Sequence, residues 1–127
     1  MSSKDLSGPM RGGMSNGQYS DLRVQCKNGD TYKVHKFVLC NQSHVFKTAC
    51  DPERGFKEAN EGIIHLKEDD PETVRALLEF LYRFQYAIPE GSGLLFYVRV
   101  YAIGEIYGVD GIKNLAKRHF QKLAWTS

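Results

Sequence analysis

From residue 21 onward the chain alternates between apolar and polar positions. Leu22, Val24 and Cys26 fall on one side of an extended backbone and Arg23, Gln25 and Lys27 on the other, the period-two signature of a half-buried strand. Asn28 and Gly29, which tolerate positive φ, mark a tight hairpin, and Tyr32 and Val34 resume the alternation over Thr31 to Val34. The two strands are expected to pair antiparallel. Phe37, Val38 and Leu39 then form a short apolar cluster, and Ser43 stands where an N-cap would open a second short helix carrying Val45, Phe46 and Ala49. Charges together with Pro52, Gly55 and Gly62 predict a loop from Asp51 to Gly62, followed by a third strand over Ile63 to Leu66.

Helical periodicity takes over at Asp70, a capping residue, with Pro71 at the first helical position, where a missing N–H is harmless. Val74, Leu77, Leu78 and Leu81 follow at i, i+3, i+4 and i+7, so one face belongs on the core. From about Leu94 to Tyr107 the apolar residues fall on two stripes. One runs through Leu95, Val98, Ala102 and Ile106, the other through Phe96, Val100, Ile103 and Tyr107, which predicts a central, mostly buried helix. Gly108 suits a C-terminal cap, and Asp110 opens a last helix whose stripe of Ile112, Leu115, Ala116, His119 and Leu123 is backed by Lys113, Lys117, Arg118 and Lys122. The expected core is Val24, Phe46, Leu77, Leu81, Val98 and Ala102. Strands first and helices after them make an α+β order in the broad α/β class. Residues 1–18, rich in Ser, Gly and Met, read as a flexible tail. Within it Leu6, Met10 and Met14 keep a spacing of four that suits a helix formed against a partner.

Composition narrows function more than fold. A length of 127 residues fits one domain, and 42% hydrophobic with 25% charged residues excludes a disordered chain. The net charge of +2 conceals a basic first stretch (+4 over residues 1–50), an acidic middle (−5 over 51–98) and a basic end (+3 over 99–127). Such a division favours complementary protein surfaces over a continuous basic face for nucleic acid, so no direct nucleic-acid partner is expected. Three cysteines at spacings matching no disulfide framework, with no secretory signal, point to an intracellular chain, cytoplasmic or nuclear. Apolar runs end well short of the roughly 20 residues of a membrane span, so no membrane partner is expected.

Candidate chemistry is thin. Cys26, Cys40, Cys50, His35 and His44 lack the C-x-x-C or H-x-x-x-H spacings that set metal ligands on one local scaffold, so neither metal nor cofactor is expected. Cys26 belongs on the inward face of its strand, as a small hydrophobe. A Cys–His hydrolase built on Cys40 and His44 is the enzymatic alternative. It wants a group to orient the base and a glycine-rich oxyanion loop, and neither accompanies the pair, so no catalytic residue is expected and the chain reads as no enzyme.

In order along the chain, YSDLRV, YKVHKFVLCNQSHVF, GFKEA, IIHLKEDDPETVRALLEFLY and YAIGEIYGVDGIKNLA resemble the BTB (POZ) domain over about Tyr19 to Leu123. The run LLEFLYRFQY looks most like BTB proteins of filamentous fungi. The resemblance implies a BTB/POZ fold, a small three-stranded sheet flanked by about five or six helices, occupying residues 19–124. Residues 125–127 are then expected to be a truncation point within a longer protein.

It also implies a protein–protein interaction module that self-associates or recruits a cullin-type ubiquitin-ligase scaffold as a substrate adaptor, or else the dimerisation domain of a transcriptional regulator. Phe56, Lys57 and Glu58 match the hydrophobic-x-Glu motif of cullin-binding relatives. Asp21 and Lys36 match a charged pair in the groove of the dimer, although Asp21 would serve equally as a cap at the strand entrance and Lys36 as a solvated side chain. Dimeric relatives carry an amphipathic helix before the first strand, where this chain has Gly8, Pro9, Gly12 and Gly13. A weak homodimer made by the short helices after His35 is therefore expected.

Overall fold

Burial follows the alternation residue by residue. Leu22, Val24 and Cys26 are buried while Arg23 and Lys27 are exposed, and across the hairpin Tyr32 and Val34 are buried while Lys33 is exposed. The computed structural model describes residues 3–4, 17–54 and 61–126. Its elements are β1 (Ser3–Lys4), β2 (Leu22–Cys26), β3 (Thr31–Val34), α1 (Lys36–Gln42), α2 (His44–Ala49), a 3-10 turn (Pro52–Arg54), β4 (Ile63–Leu66), α3 (Pro71–Arg83), α4 (Leu94–Tyr107) and α5 (Asp110–Thr126).

Among the described residues the three expected strands form a small sheet with five helices, an α+β arrangement. β2 pairs antiparallel with β3, Val24 opposite Tyr32, and parallel with β4, Val24 opposite Ile64. Within the segment read as a tail, Ser3 and Lys4 add a two-residue strand parallel to β3, giving the order β1-β3-β2-β4. Leu6, Met10 and Met14 lie outside the described residues.

The hairpin differs from the expectation at one position. Gly29 takes positive φ, at 94°, but Asn28 does not. Instead the Asn28 side chain accepts a hydrogen bond from Asp30 N at 3.1 Å, while Gly29 N donates to Cys26 O at 3.0 Å. A turn closed this way, with glycine as its left-handed third residue, produces a bulged hairpin that keeps the strands' twist.

Polar side chains tie the helices together. Ser43 Oγ accepts from Phe46 N at 3.1 Å, capping α2, and donates to Tyr107 O at 2.6 Å, joining α2 to the end of α4. Phe46 stacks on Tyr107 with ring centroids 4.9 Å apart, a pairing that adds about 0.5–1.5 kcal/mol to simple burial. Gln42 Nε2 donates to Leu81 O at 2.6 Å, joining α1 to α3. At the start of α3, Asp70 accepts from Thr73 N at 3.2 Å, with Pro71 in the first turn.

The core departs from the expected set on one helix. Val24, Phe46, Leu77 and Leu81 are buried as expected, but Val98 is 48% exposed and Ala102 is exposed too. α4 is therefore not buried all round. Its Tyr97, Val100, Ile103 and Gly104 face packs on α5 and α3, and the stripe of Leu95, Val98, Ala102 and Ile106 lies in solvent. The cause is contact geometry: a β-carbon on Gly104 would come within 2.6 Å of Ile112 Cγ2, so α5 sits tightly on that side alone.

Candidate functional site

The two residues expected to pair, Asp21 and Lys36, do meet. The link is between the Asp21 carboxylate and the Lys36 main chain: Lys36 N donates to Asp21 Oδ1 at 2.8 Å. Asp21 thus caps the opening of α1 rather than the strand entrance, satisfying an N–H with no partner inside the helix. Asp21 itself is exposed and Lys36 half-buried.

One residue earlier, His35 fixes this corner. Its backbone N donates to Tyr82 Oη at 2.9 Å, and its ring nitrogens lie 2.7 Å from Tyr82 Oη and 2.7 Å from Gln18 O. A carbonyl only accepts, so Nε2 carries the proton, and Tyr82 donates its own to Nδ1. Burial pushes the Tyr82 phenol up to about 12, which keeps that proton in place. These bonds tie Gln18 to the start of α1, where two aromatic rings stand in solvent. Tyr19, left-handed at φ 62°, is 85% exposed, and Phe37 is 73% exposed. The His35–Tyr82 link was not legible in the sequence, because its partners stand 47 residues apart with no local periodicity between them.

Phe56, Lys57 and Glu58 lie outside the described residues. On either side of them Glu53, Arg54 and Glu61 are exposed. Beside Asp21 a shallow cavity of about 360 Å³ is lined by Ser20, Arg23, Lys33, Glu61 and Gly62, so it carries charges of both signs.

The cysteines are placed as packing groups. Cys26 and Cys50 are buried, and Cys40 is half-buried with its Sγ directed at Phe46 O, 3.8 Å away. Burial and the neighbouring Cys40 push the Cys50 thiol up to about 11, the reverse of what activates a nucleophile. His44 is exposed at the start of α2. Among the described residues no three His, Cys, Asp or Glu side chains gather as metal ligands. No helix among them is long and apolar enough to cross a membrane.

The basic back of α5 is not uniform. Lys113 turns toward α4, pairs with Glu105 and lies 5.4 Å from the centre of the Tyr101 ring. That leaves Lys117, Arg118 and Lys122 exposed.

A family model described as BTB/POZ domain matches residues 11–123. No curated protein sequence matches the chain. Among solved structures, the BTB domain of zebrafish PATZ1 is similar in fold, with a TM-score of 0.65 at 14% identity over 92% of this chain and 86% of that one. The matched span takes in every element from β2 through most of α5, and this chain belongs to the BTB/POZ family of protein-interaction domains.

Proposed function

We propose that the domain acts without catalysis, self-associating through the surface at α1 and offering a second site to a cullin-type ubiquitin-ligase scaffold as an adaptor. The observation that carries the self-association is the exposure of Phe37 and Tyr19, at 73% and 85%, on either side of the Asp21–Lys36 cap. Exposed aromatic rings beside a hydrogen-bonded corner are ready-made contacts, and fully burying one contributes about 1.5–3 kcal/mol. Light scattering across a dilution series tests this. A dimer that dissociates on dilution is expected, with Phe37→Glu monomeric throughout. A wild-type domain that stays monomeric at high micromolar concentration removes self-association from the account.

The adaptor reading rests on the match of Phe56, Lys57 and Glu58 to the family motif and on the exposure of Glu53 and Glu61 on both sides of it. Acidic neighbours favour a basic partner surface. Calorimetry with a purified cullin N-terminal domain is expected to give binding that Phe56→Ala weakens by more than about 2 kcal/mol and Glu53→Ala far less. An absence of heat at tens of micromolar, with the domain folded, ends that reading. In the other reading, a transcriptional regulator's dimerisation domain, Asp21 and Lys36 would form the groove's charged pair. Asp21→Asn separates these roles, because the amide oxygen still caps α1 while the charge is lost. Unchanged stability with lost recruitment favours the regulator.

A further inference from the structure

Where the end of α3 meets α5, an open groove of about 640 Å³ is floored by Phe80, Phe84 and Leu115. Its other wall is one face of α5, carrying Asn114, Lys117, Arg118 and Gln121. The floor is firm: a β-carbon on Gly111 would lie 2.8 Å from Phe80 Cζ, so helix and ring are in close contact. Phe84 ends α3 in the left-handed conformation, φ 61°, unusual for a residue with a β-carbon. This turns its ring outward, 69% exposed, edge-on to Phe80 at 6.0 Å.

The polar wall has three properties. Every charge lining the groove is positive. Lys117 and Arg118 are exposed, and among the described residues neither side chain makes an ion pair or hydrogen bond. The amides of Asn114 and Gln121 likewise make no hydrogen bond there. An apolar floor, two free cations and two free amides match the three things a short peptide presents: an apolar side chain, carboxylates, and a backbone that both donates and accepts.

We propose that this groove binds a short acidic segment of a partner protein. An aromatic or aliphatic side chain sits against Phe80, Phe84 and Leu115, flanking carboxylates meet Lys117 and Arg118, and main-chain amides meet Asn114 and Gln121. The wall from Gly111 to Gln121 covers about 15 Å at 1.5 Å per residue, enough for about five extended residues. Nucleic acid fits less well, because two cations neutralise few phosphates and Lys113 is drawn off to Glu105. The site is separate from the α1 surface and stands or falls independently of it.

The test is fluorescence anisotropy on the whole chain. The probe is a fluorescein-labelled peptide of two glutamates, one phenylalanine and two aspartates. Two counterparts accompany it, one with Gln and Asn replacing the acids and one with Ala replacing the phenylalanine. Saturable binding is expected, weakened at least about tenfold by Lys117→Glu with Arg118→Glu and by either counterpart, and several-fold by Phe84→Ser. Phe37→Glu should leave it unchanged. All the substituted side chains are exposed, and thermal unfolding checks that each variant folds. Failure to saturate below millimolar overturns the proposal, as does binding that survives the charge reversal. Equal binding of the alanine counterpart reduces the site to general attraction for anions. Displacement by a single-stranded oligonucleotide at equal concentration replaces it with a nucleic-acid site.

Discussion

α3 and α4 are nearly equal in length, at 13 and 14 residues, yet α3 buries eight residues and α4 only four. The more apolar helix is the more exposed one. α3 turns its stripe of Val74, Leu77, Leu78 and Leu81 inward and keeps Glu72 and Arg83 in solvent, but its burial goes beyond that stripe, since every residue from Ala76 to Leu81 is buried. Buried Glu79 is held by Arg75 Nη1 at 2.5 Å and Ala87 N at 2.8 Å. α4 has apolar residues on both sides, and solvation alone does not choose between them. The difference teaches that an amphipathic helix states which face is inward, whereas an evenly apolar one states only that some face is. The exposed stripe, with Leu95 at 58% and Ile106 at 56%, is the kind of apolar surface that interaction domains keep.

The contrast between the two helices rests most heavily on Leu81, 2% exposed on α3. Leu81→Ala is expected to cost about 2–5 kcal/mol in urea denaturation, from lost transfer energy plus an unfilled cavity. A cost under about 0.5 kcal/mol would mean that α3 does not carry the core.

A smaller and more pointed effect is expected at Gly104. Alanine is favoured over glycine in a helix by about 1 kcal/mol, but here its β-carbon would stand 2.6 Å from fully buried Ile112 Cγ2. Overpacking of about 1–3 kcal/mol should win, so Gly104→Ala destabilises. A stabilised variant would show that α4 and α5 are less closely packed than this.

Ser43→Ala removes both the α2 cap and the bond to Tyr107 O, and about 1–2 kcal/mol is expected. If α4 is held only by its own apolar face, the loss will fall below that.

His119, on the α5 side of the interface with α4, gives a pH signature. Burial, then the charges of Arg118 and Lys122, lowers its pKa from the usual 6.5, and Tyr86 Oη lies 2.9 Å from Nδ1. A lowered pKa means that the unfolded chain takes up the proton first. The neutral ring's contribution is therefore full above 6.5 and declines as pH falls through that value. Thermal unfolding at successive pH values should show wild type losing more stability than His119→Gln as the solution is acidified. Parallel curves would remove His119 from the interface.

The smallest effect is expected on the open face of α4. Val98→Ala should change stability by less than about 0.5 kcal/mol, because the side chain is 48% exposed. A cost equal to that of Leu81→Ala would erase the contrast between the helices.

Much of the fold was legible in the chain because its signals are local. The alternation at Leu22, Val24 and Cys26, the caps at Ser43 and Asp70, the αL glycine at 108 and the stripe through Leu81 each act within a few residues, and each appears where expected. Asp21 was legible as a cap, though not as the cap of α1, since its partner lies 15 residues away. The candidate sites were less legible. Phe84 gave no sign of its outward ring, and nothing local links His35 to Tyr82.

Most element types, the inward stripes of β2, β3 and α3 and the family resemblance can be read from the chain alone, whereas the short β1 within the segment read as a tail and the turn at Pro52–Arg54 cannot. Tertiary structure alone decided which stripe of α4 meets solvent, how His35 braces α1 through Tyr82 and Gln18, and that Phe80 and Phe84 floor a groove walled by Lys117 and Arg118. The physical reason is range. Propensity, capping and periodicity are set by neighbours along the chain, while the choice between two equally apolar faces, or the meeting of two helix surfaces, depends on residues that only folding brings together.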